Sequence, residues 1–297
     1  MSTAIATGAA AMRAAAYSCV LFVLAVVSET AAADNLPGDY LPLPAGTRVL
    51  GLRYTYATGG DLHSGGDLVD EDFDFVDQQG LLTFNYYGGQ RLRWLFSASL
   101  PFGRTEIDSD RLALHDSDTG IGDPYFVLGV VPLIRDKYSV GFSGWLFVPL
   151  GDYAGDNVIN QGMNAWSVRA EANVTCRPSA AWTLELTAGA RAFTDNDDFG
   201  PAQATLERSP RFLVETHLVR NVRPGLRLSL DYFWHGGNET TVNGVERDDT
   251  WNDHAAQLTA LWQLQGRRLL TVYYRNDFVV RSGPENQSVA VRFMQGF

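Results

Sequence analysis

The sequence predicts an all-β chain: a closed antiparallel transmembrane β-barrel of twelve strands with short periplasmic turns and long extracellular loops. Three observations lead there. Apolar and polar residues alternate with a period of two from Arg48 to Phe297, the connections between alternating segments are by turns short and long, and an apolar leader precedes them. Composition agrees. At 297 residues, 45% hydrophobic and 19% charged, with 29 Gly and 12 Pro, the chain is neither disordered nor collagen-like. A net charge of -11 argues against nucleic acid as a partner, because phosphate binding needs a basic face. Beyond the leader no apolar run reaches the roughly 20 residues of a spanning helix.

The leader is residues 1–33. Arg13 supplies a positive start, Ala14 to Val27 an apolar stretch, and Ala31-Ala32-Ala33 a small-residue cleavage site before Asp34. The expected organisation is therefore a cleavable signal peptide over 1–33 and one barrel domain over 34–297. Cys176 is then the lone thiol of the remaining chain and has no internal disulfide partner.

The alternation is plain in several segments. Leu226, Leu228, Leu230, Tyr232 and Trp234 share one face, opposed by Arg227, Ser229, Asp231 and Phe233. Leu270, Val272, Tyr274 and Phe278 likewise oppose Thr271, Tyr273, Arg275 and Asp277. The twelve expected strands are 47–57, 78–87, 91–104, 121–133, 138–150, 165–176, 181–193, 211–221, 226–235, 253–263, 269–279 and 287–297. The segment Tyr125 to Leu133 is apolar on both faces, which leaves its register open. Tight turns fall at Gly88-Gly89, 134–137, 177–180, 222–225 and 264–268, and long connections at 58–77, 105–120, 151–164, 194–210 and 236–252.

Periodicity alone does not say which face points outward. Twelve strands with an apolar inside would enclose a void, because barrel diameter grows with strand number. A polar interior with lipid outside removes that difficulty. Aromatic residues near the strand ends, such as Tyr54, Tyr56, Trp94, Phe102, Tyr138, Trp166, Trp182, Tyr232, Trp234 and Trp262, then form interfacial girdles. This orientation places Arg53, Arg91, Arg93, Arg169, Glu171, Glu185, Arg191, Glu215, His217, Arg227, Asp231, Arg275, Asp277 and Arg292 in the lumen as candidate lining of a substrate path. On the lipid side each midplane Arg would cost about 2–4 kcal/mol. A mixed-charge lining either orders a field that selects small polar or amphipathic solutes, or pairs across the lumen and seals it; both readings stay open.

The loops are acidic. Residues 58–77 hold seven Asp and Glu and no Lys or Arg, a rim suited to divalent cations that bridge lipopolysaccharide or, more simply, to water. Asp70, Asp72 and Asp74 imitate the start of a calcium loop, but Phe75 and Leu81 stand where Gly and Glu are required, so no metal site is assigned. No nucleophile elbow, paired-His metal motif or phosphate-binding glycine loop is present. No cofactor or enzymatic activity is expected; the one enzymatic alternative is lipid modification through His217 or His254. The chain ends Val289, Val291, Phe293, Phe297 on one face, similar to the sorting signature that barrel-assembly machinery reads, with Gln295 interrupting it.

Three short motifs carry a family resemblance. Tyr87-Gly88 leads into a strand that ends Leu100-Pro101-Phe102, Gly120-Ile121-Gly122-Asp123 opens the next, and Pro149-Leu150-Gly151-Asp152-Tyr153 closes the one after. In order and spacing they cover about 40% of the chain, with Leu150 where a small polar residue is expected. The sequence resembles the family of outer-membrane transporters named for the MetA pathway of phenol degradation. That resemblance implies a transport-type barrel in the bacterial outer membrane, linked to uptake of aromatic or hydrophobic compounds. The leading expectation is passive uptake of small molecules, with lipid, lipopolysaccharide and a small solute as partners. The alternative is a structural or surface-interaction barrel with a sealed lumen.

Overall fold

The computed structural model describes residues 33–297. The expected signal peptide lies outside the described residues except for Ala33. In chain order the strands are β1 (Arg48–Ser64), β2 (Asp67–Asp70), β3 (Asp74–Gly88), β4 (Arg93–Ser109), β5 (Leu114–Ile121), β6 (Tyr125–Ile134), β7 (Tyr138–Phe147), β8 (Ser167–Ser179) and β9 (Trp182–Phe193). There follow β10 (Asn196–Phe199), β11 (Ala204–Arg208), β12 (Arg211–Arg223), β13 (Leu226–Gly237), β14 (Thr240–Val242), β15 (Val245–Glu246), β16 (Trp251–Leu264), β17 (Arg268–Val279) and β18 (Gly283–Gly296). Twelve of them, β1, β3, β4, β6 to β9, β12, β13 and β16 to β18, pair antiparallel in sequence order, and β18 closes on β1 from Val49↔Gly296 to His63↔Gly283. Closure satisfies the backbone groups that lipid cannot.

The alternation has the predicted sense. Along β1, buried and exposed residues alternate without a break from Arg48 to Thr58. Leu52, Leu128, Leu230 and Leu258 look outward, while Arg53, Thr55, Ser97, Arg169 and Asp231 look inward. The undecided strand β6 turns Tyr125 and Val127 inward and Phe126 and Leu128 outward. The periplasmic turns are as tight as expected. At the first of them Gly89 has φ +78, and a Cβ there would lie 1.7 Å from the Leu92 carbonyl oxygen, so glycine is required. On the last strand Val289, Val291, Phe293 and Phe297 are exposed together, and Gln295 is tied to the neighbouring turn through Arg268 Nε and the Gly266 carbonyl.

The extracellular side differs from expectation in being built rather than looped. β1, β3 and β4 extend well past the predicted ends, and most of 58–77 and 105–120 is strand. These extensions enclose a core of Leu62, Phe73, Phe75, Ile107, Leu114 and Ile159. Residues from 194–210 and 236–252 form a separate four-stranded sheet, β10-β11-β14-β15, over Ala204, Leu206 and Val242. Period-two patterning is weak in such short pieces, which is why they read as loops.

Candidate functional site

The lumen is occupied by the segment that precedes β1. Residues 33–47 run inside the barrel before the chain turns at its periplasmic rim, where Gly46 N–H donates to the Tyr87 carbonyl at 2.8 Å. At its inner tip Asp34 meets Arg275 Nη1 at 2.6 Å and His235 Nε2 at 3.2 Å. Asn35 donates to two wall carboxylates, through Nδ2 to Glu215 (2.8 Å) and to Glu171 (3.2 Å), while its backbone N–H reaches Glu215 (3.3 Å). Gly38 N–H donates to Glu185 at 3.0 Å, and Arg292 Nη1 donates to Asp39 at 2.9 Å. Tyr40 OH donates to Glu171 at 2.6 Å. Ala33, the last residue of the expected leader, is buried against Leu81, Tyr125, Val127 and Phe147, and its carbonyl accepts from Arg169 Nη2 at 2.8 Å.

Most of the predicted lining residues are buried on the inner wall. Arg169 pairs with Glu171 at 3.0 Å and stacks 3.7 Å from the Trp145 ring centroid. Arg191 donates to Ser167 Oγ at 2.8 Å and lies 3.7 Å from the Phe147 centroid. His217 Nδ1 meets Asp231 at 2.9 Å, with Ser229 and Thr259 also donating to that carboxylate. Arg275 holds Asp277 at 2.7 Å besides Asp34. Arg53 is buried on the inner face. Arg93 donates to the Gly89 carbonyl at 3.1 Å at the periplasmic mouth, and Arg227 lies beside Gly38.

Arg91 is placed differently from the sequence reading. It sits exposed in the turn before β4, which starts at Arg93 instead of residue 91, and so lies outside the lumen. The turn takes residues 89–92, one residue more than the 88–90 that alternation suggested. The two histidines of the enzymatic alternative are on opposite faces: His217 is buried against Asp231, and His254 points outward, where Tyr232 OH lies 2.7 Å from its Nδ1. Ser229 donates to the Asp231 carboxylate, so this Ser, His and Asp are not arranged as a nucleophile and its base.

Opposite this charged wall the lumen is open. A cavity of about 1060 Å³, counting space continuous with solvent, lies between the inner faces of β1, β3, β4, β6 and β7 and the inserted segment. Its lining mixes apolar Leu81, Tyr125 and Trp145 and the hydroxyls of Ser97 and Ser99 with the charged Arg53, Arg93, Arg292 and Asp39. From the extracellular side residues 148–164 fold over it. Two of the sequence motifs hold this loop. The Asp123 carboxylate accepts from Gly151 N–H (2.9 Å) and Met163 N–H (2.8 Å), and Asp152 accepts from Ile121 N–H (2.8 Å). A Cβ at Gly151 would lie 2.8 Å from the Gly122 carbonyl carbon, so the glycines let the two motifs interlock. Leu150, the departure from the family pattern, is 72% exposed and takes no part. Gln161, carried inward by the loop, accepts from Gln79 Nε2 at 3.1 Å and donates to Thr105 Oγ1 at 3.3 Å, a role that alternation alone does not mark.

A family model described as "Putative MetA-pathway of phenol degradation" matches residues 59–293. The chain belongs to this family. Among solved structures it is similar to the COG4313 outer membrane channel from Pseudomonas putida F1, with 26% identity and a TM-score of 0.86 over 89% of this chain and 100% of that one. The NanC porin shares the fold at 7% identity and a TM-score of 0.51, over 82% of this chain and 98% of that one. No curated protein matches the sequence. The family member described here is therefore an outer-membrane β-barrel. The family match starts at residue 59, so the inserted segment 33–47 lies outside it.

Proposed function

We propose that this barrel is a channel for passive uptake of small molecules, with a path suited to aromatic or other amphipathic compounds. The observation that carries the reading is the asymmetric lumen. Half of it is filled by ion pairs and the inserted segment, and the other half leaves a cavity where aromatic and aliphatic surface lies beside hydroxyls and the guanidinium groups of Arg53 and Arg93. Such a lining receives an apolar body and gives a single polar group somewhere to bond. The likeness to an outer membrane channel supports the channel role. Passage needs no cofactor, nucleotide or metal, since a concentration gradient drives it.

The rest of the setting follows. The exposed Tyr54, Tyr56, Trp182 and Trp262 seat the barrel in lipid and lipopolysaccharide, the terminal strand is the part that assembly machinery engages, and residues 1–33 direct export and are cleaved, which takes away Ala33 and its bond to Arg169 and leaves Asp34 to lead the insert. The ion-pair network also supports the competing reading, a sealed structural barrel. Planar-bilayer recording separates the two. The folded protein is expected to pass small currents that rise at least several-fold when Asn35 and Asp39 are both replaced by Ala, because both tie the segment to the wall. Complete absence of solute-dependent current from either protein overturns the channel reading in favour of the sealed barrel.

A further inference from the structure

The inserted segment leaves one wall carboxylate without a countercharge. Glu215 is fully buried, and its hydrogen bonds come from Asn35, whose backbone N–H and Nδ2 lie 3.3 Å and 2.8 Å away. The basic side chains whose charge reaches it are committed elsewhere: Arg169 Nε pairs with Glu171 at 3.0 Å, and His217 Nδ1 meets Asp231 at 2.9 Å. Glu171 accepts from Asn35 Nδ2 as well, so the tip of the insert sits between two carboxylates. Asp34 adds a third, which Arg275 and His235 hold. Among the described residues, Glu171 and Glu215 thus share one guanidinium group, that of Arg169. A buried carboxylate without its own cation is strongly unfavourable.

The missing cation is one that no side chain supplies. Cleavage after Ala33 hydrolyses the peptide bond to Asp34: water adds, Ala33 leaves with a carboxyl group, and the Asp34 nitrogen becomes a free amine that is protonated at neutral pH. Backbone bond lengths keep that nitrogen within about 3.7 Å of Asn35 N. Because Asn35 N is 3.3 Å from Glu215 Oε1, the new ammonium stands within about 7 Å of the carboxylate. The buried Asp34 side chain, tied to Arg275 Nη1 at 2.6 Å, keeps it there. The same cut removes the Ala33 carbonyl from Arg169 Nη2, which leaves Arg169 to Glu171 and the ammonium to Glu215.

We infer that the processed N-terminus is the counter-ion of Glu215 and locks the insert in the lumen. Before hydrolysis the tip carries an excess of negative charge. Afterwards two cations, Arg169 and the α-ammonium, answer two carboxylates, Glu171 and Glu215. Removal of the leader thereby sets the plug of the ionic half. The inference rests on the cleavage proposed with the channel reading, and its main readout is independent of conduction.

Lys137 makes the test direct, because it is the chain's only lysine and lies exposed in a periplasmic turn. With Lys137→Arg the α-amine is the one amine left to react. The barrel purified in detergent from outer membranes is expected to have the mass of a chain that starts at Asp34. Its acetylation by sulfosuccinimidyl acetate should be at least about tenfold slower than in Glu215→Gln on the same background, since reaction must wait for local opening. That substitution is isosteric and keeps an acceptor for Asn35. A glycine inserted between Ala33 and Asp34 displaces the ammonium by one residue, leaves every wall residue in place, and should label as fast as Glu215→Gln. Heat-modifiable electrophoretic mobility checks that each variant folds. A different N-terminus, or either variant labelling no faster than the parent, overturns the lock whether or not the protein conducts. Slow labelling of the parent, fast labelling of both variants and no current from any of them keep the lock and overturn the channel reading.

Discussion

The two halves of the barrel interior solve the same packing problem in opposite ways. The wall of β8, β9, β12, β13, β16 and β17 fills its side with charge, including Arg169, Glu171, Arg191, Glu215, His217 and Arg275. The wall of β1, β3, β4, β6 and β7 presents Leu81, Thr83, Ser97, Tyr125 and Trp145 and leaves space. Charge needs partners when buried. The ionic half obtains them from the inserted segment, whose N–H groups and carboxylates answer the wall's carboxylates and guanidinium groups in turn. The more neutral half carries fewer charges, Arg53 and Arg93 among them, and meets the inserted segment mainly through apolar packing of Ala33 on Leu81, Tyr125, Val127 and Phe147.

The sharpest way to break this comparison is at Glu171. Replacement by Leu strands Arg169 without its ion pair and removes acceptors for Asn35, Tyr40 and Trp145. The expected loss is about 3–5 kcal/mol in detergent-phase urea unfolding, together with raised conductance. A double variant, Arg169→Met with Glu171→Leu, should recover most of the stability but not the seal. A single-variant loss below about 1 kcal/mol would show that charge does not hold this half together.

Next in size is Asp123→Ala, which deletes the two charge-assisted bonds that fix the loop over the neutral half. About 1.5–3 kcal/mol of local stability per bond is at stake, read as new protease cleavage within residues 148–164. Leu81→Ala on the neutral wall should cost less than the roughly 2–5 kcal/mol of a sealed core, about 1–2 kcal/mol, since its side chain already borders a cavity. Solute flux in the same variant should rise, whereas an equal truncation in the packed extracellular core, Ile107→Ala, should lower stability without changing flux.

The smallest effect is a pH dependence outside the membrane. Asp249 is buried beneath the extracellular sheet, and burial lifts its carboxyl above the ordinary 3.8, outweighing the Thr240 hydrogen bonds that favour ionisation. The folded form therefore prefers the proton. Its stabilising contribution is full below about pH 3.8 and is lost as pH rises through the raised folded value. The protection factor of the Thr240 amide, with the intrinsic pH dependence of exchange divided out, should fall across that window in the wild type and stay flat in Asp249→Asn. An unchanged profile in the variant would assign the effect to another group.

Much of this protein was readable without coordinates because a membrane barrel repeats one simple rule. Each strand must show lipid one face and water the other, so Leu226 to Trp234 alone announces strand, face and orientation. Inward residues such as Arg169, Glu171, Glu215 and Asp231 follow from that parity. Where parity lapsed, so did the reading: Arg91 shares it with Arg93 but belongs to a turn, and the short strands β10, β11, β14 and β15 are too brief to display a period.

What the chain determines by itself is local and periodic: the twelve barrel strands, their direction and the sign of each face. What only the folded molecule decides is which distant groups meet. Nothing in Asp34 to Tyr40 marks that segment as a lumen insert, because its partners Glu171, Glu185, Glu215 and Arg275 lie more than 130 residues away and become neighbours only when the barrel closes. The interlock of Asp123 with Gly151 and Met163 is likewise a tertiary contact, made where the β6–β7 hairpin brings the following loop back onto the start of β6. Periodicity is carried by each residue's side chain, whereas such meetings are set by the curvature of the whole sheet.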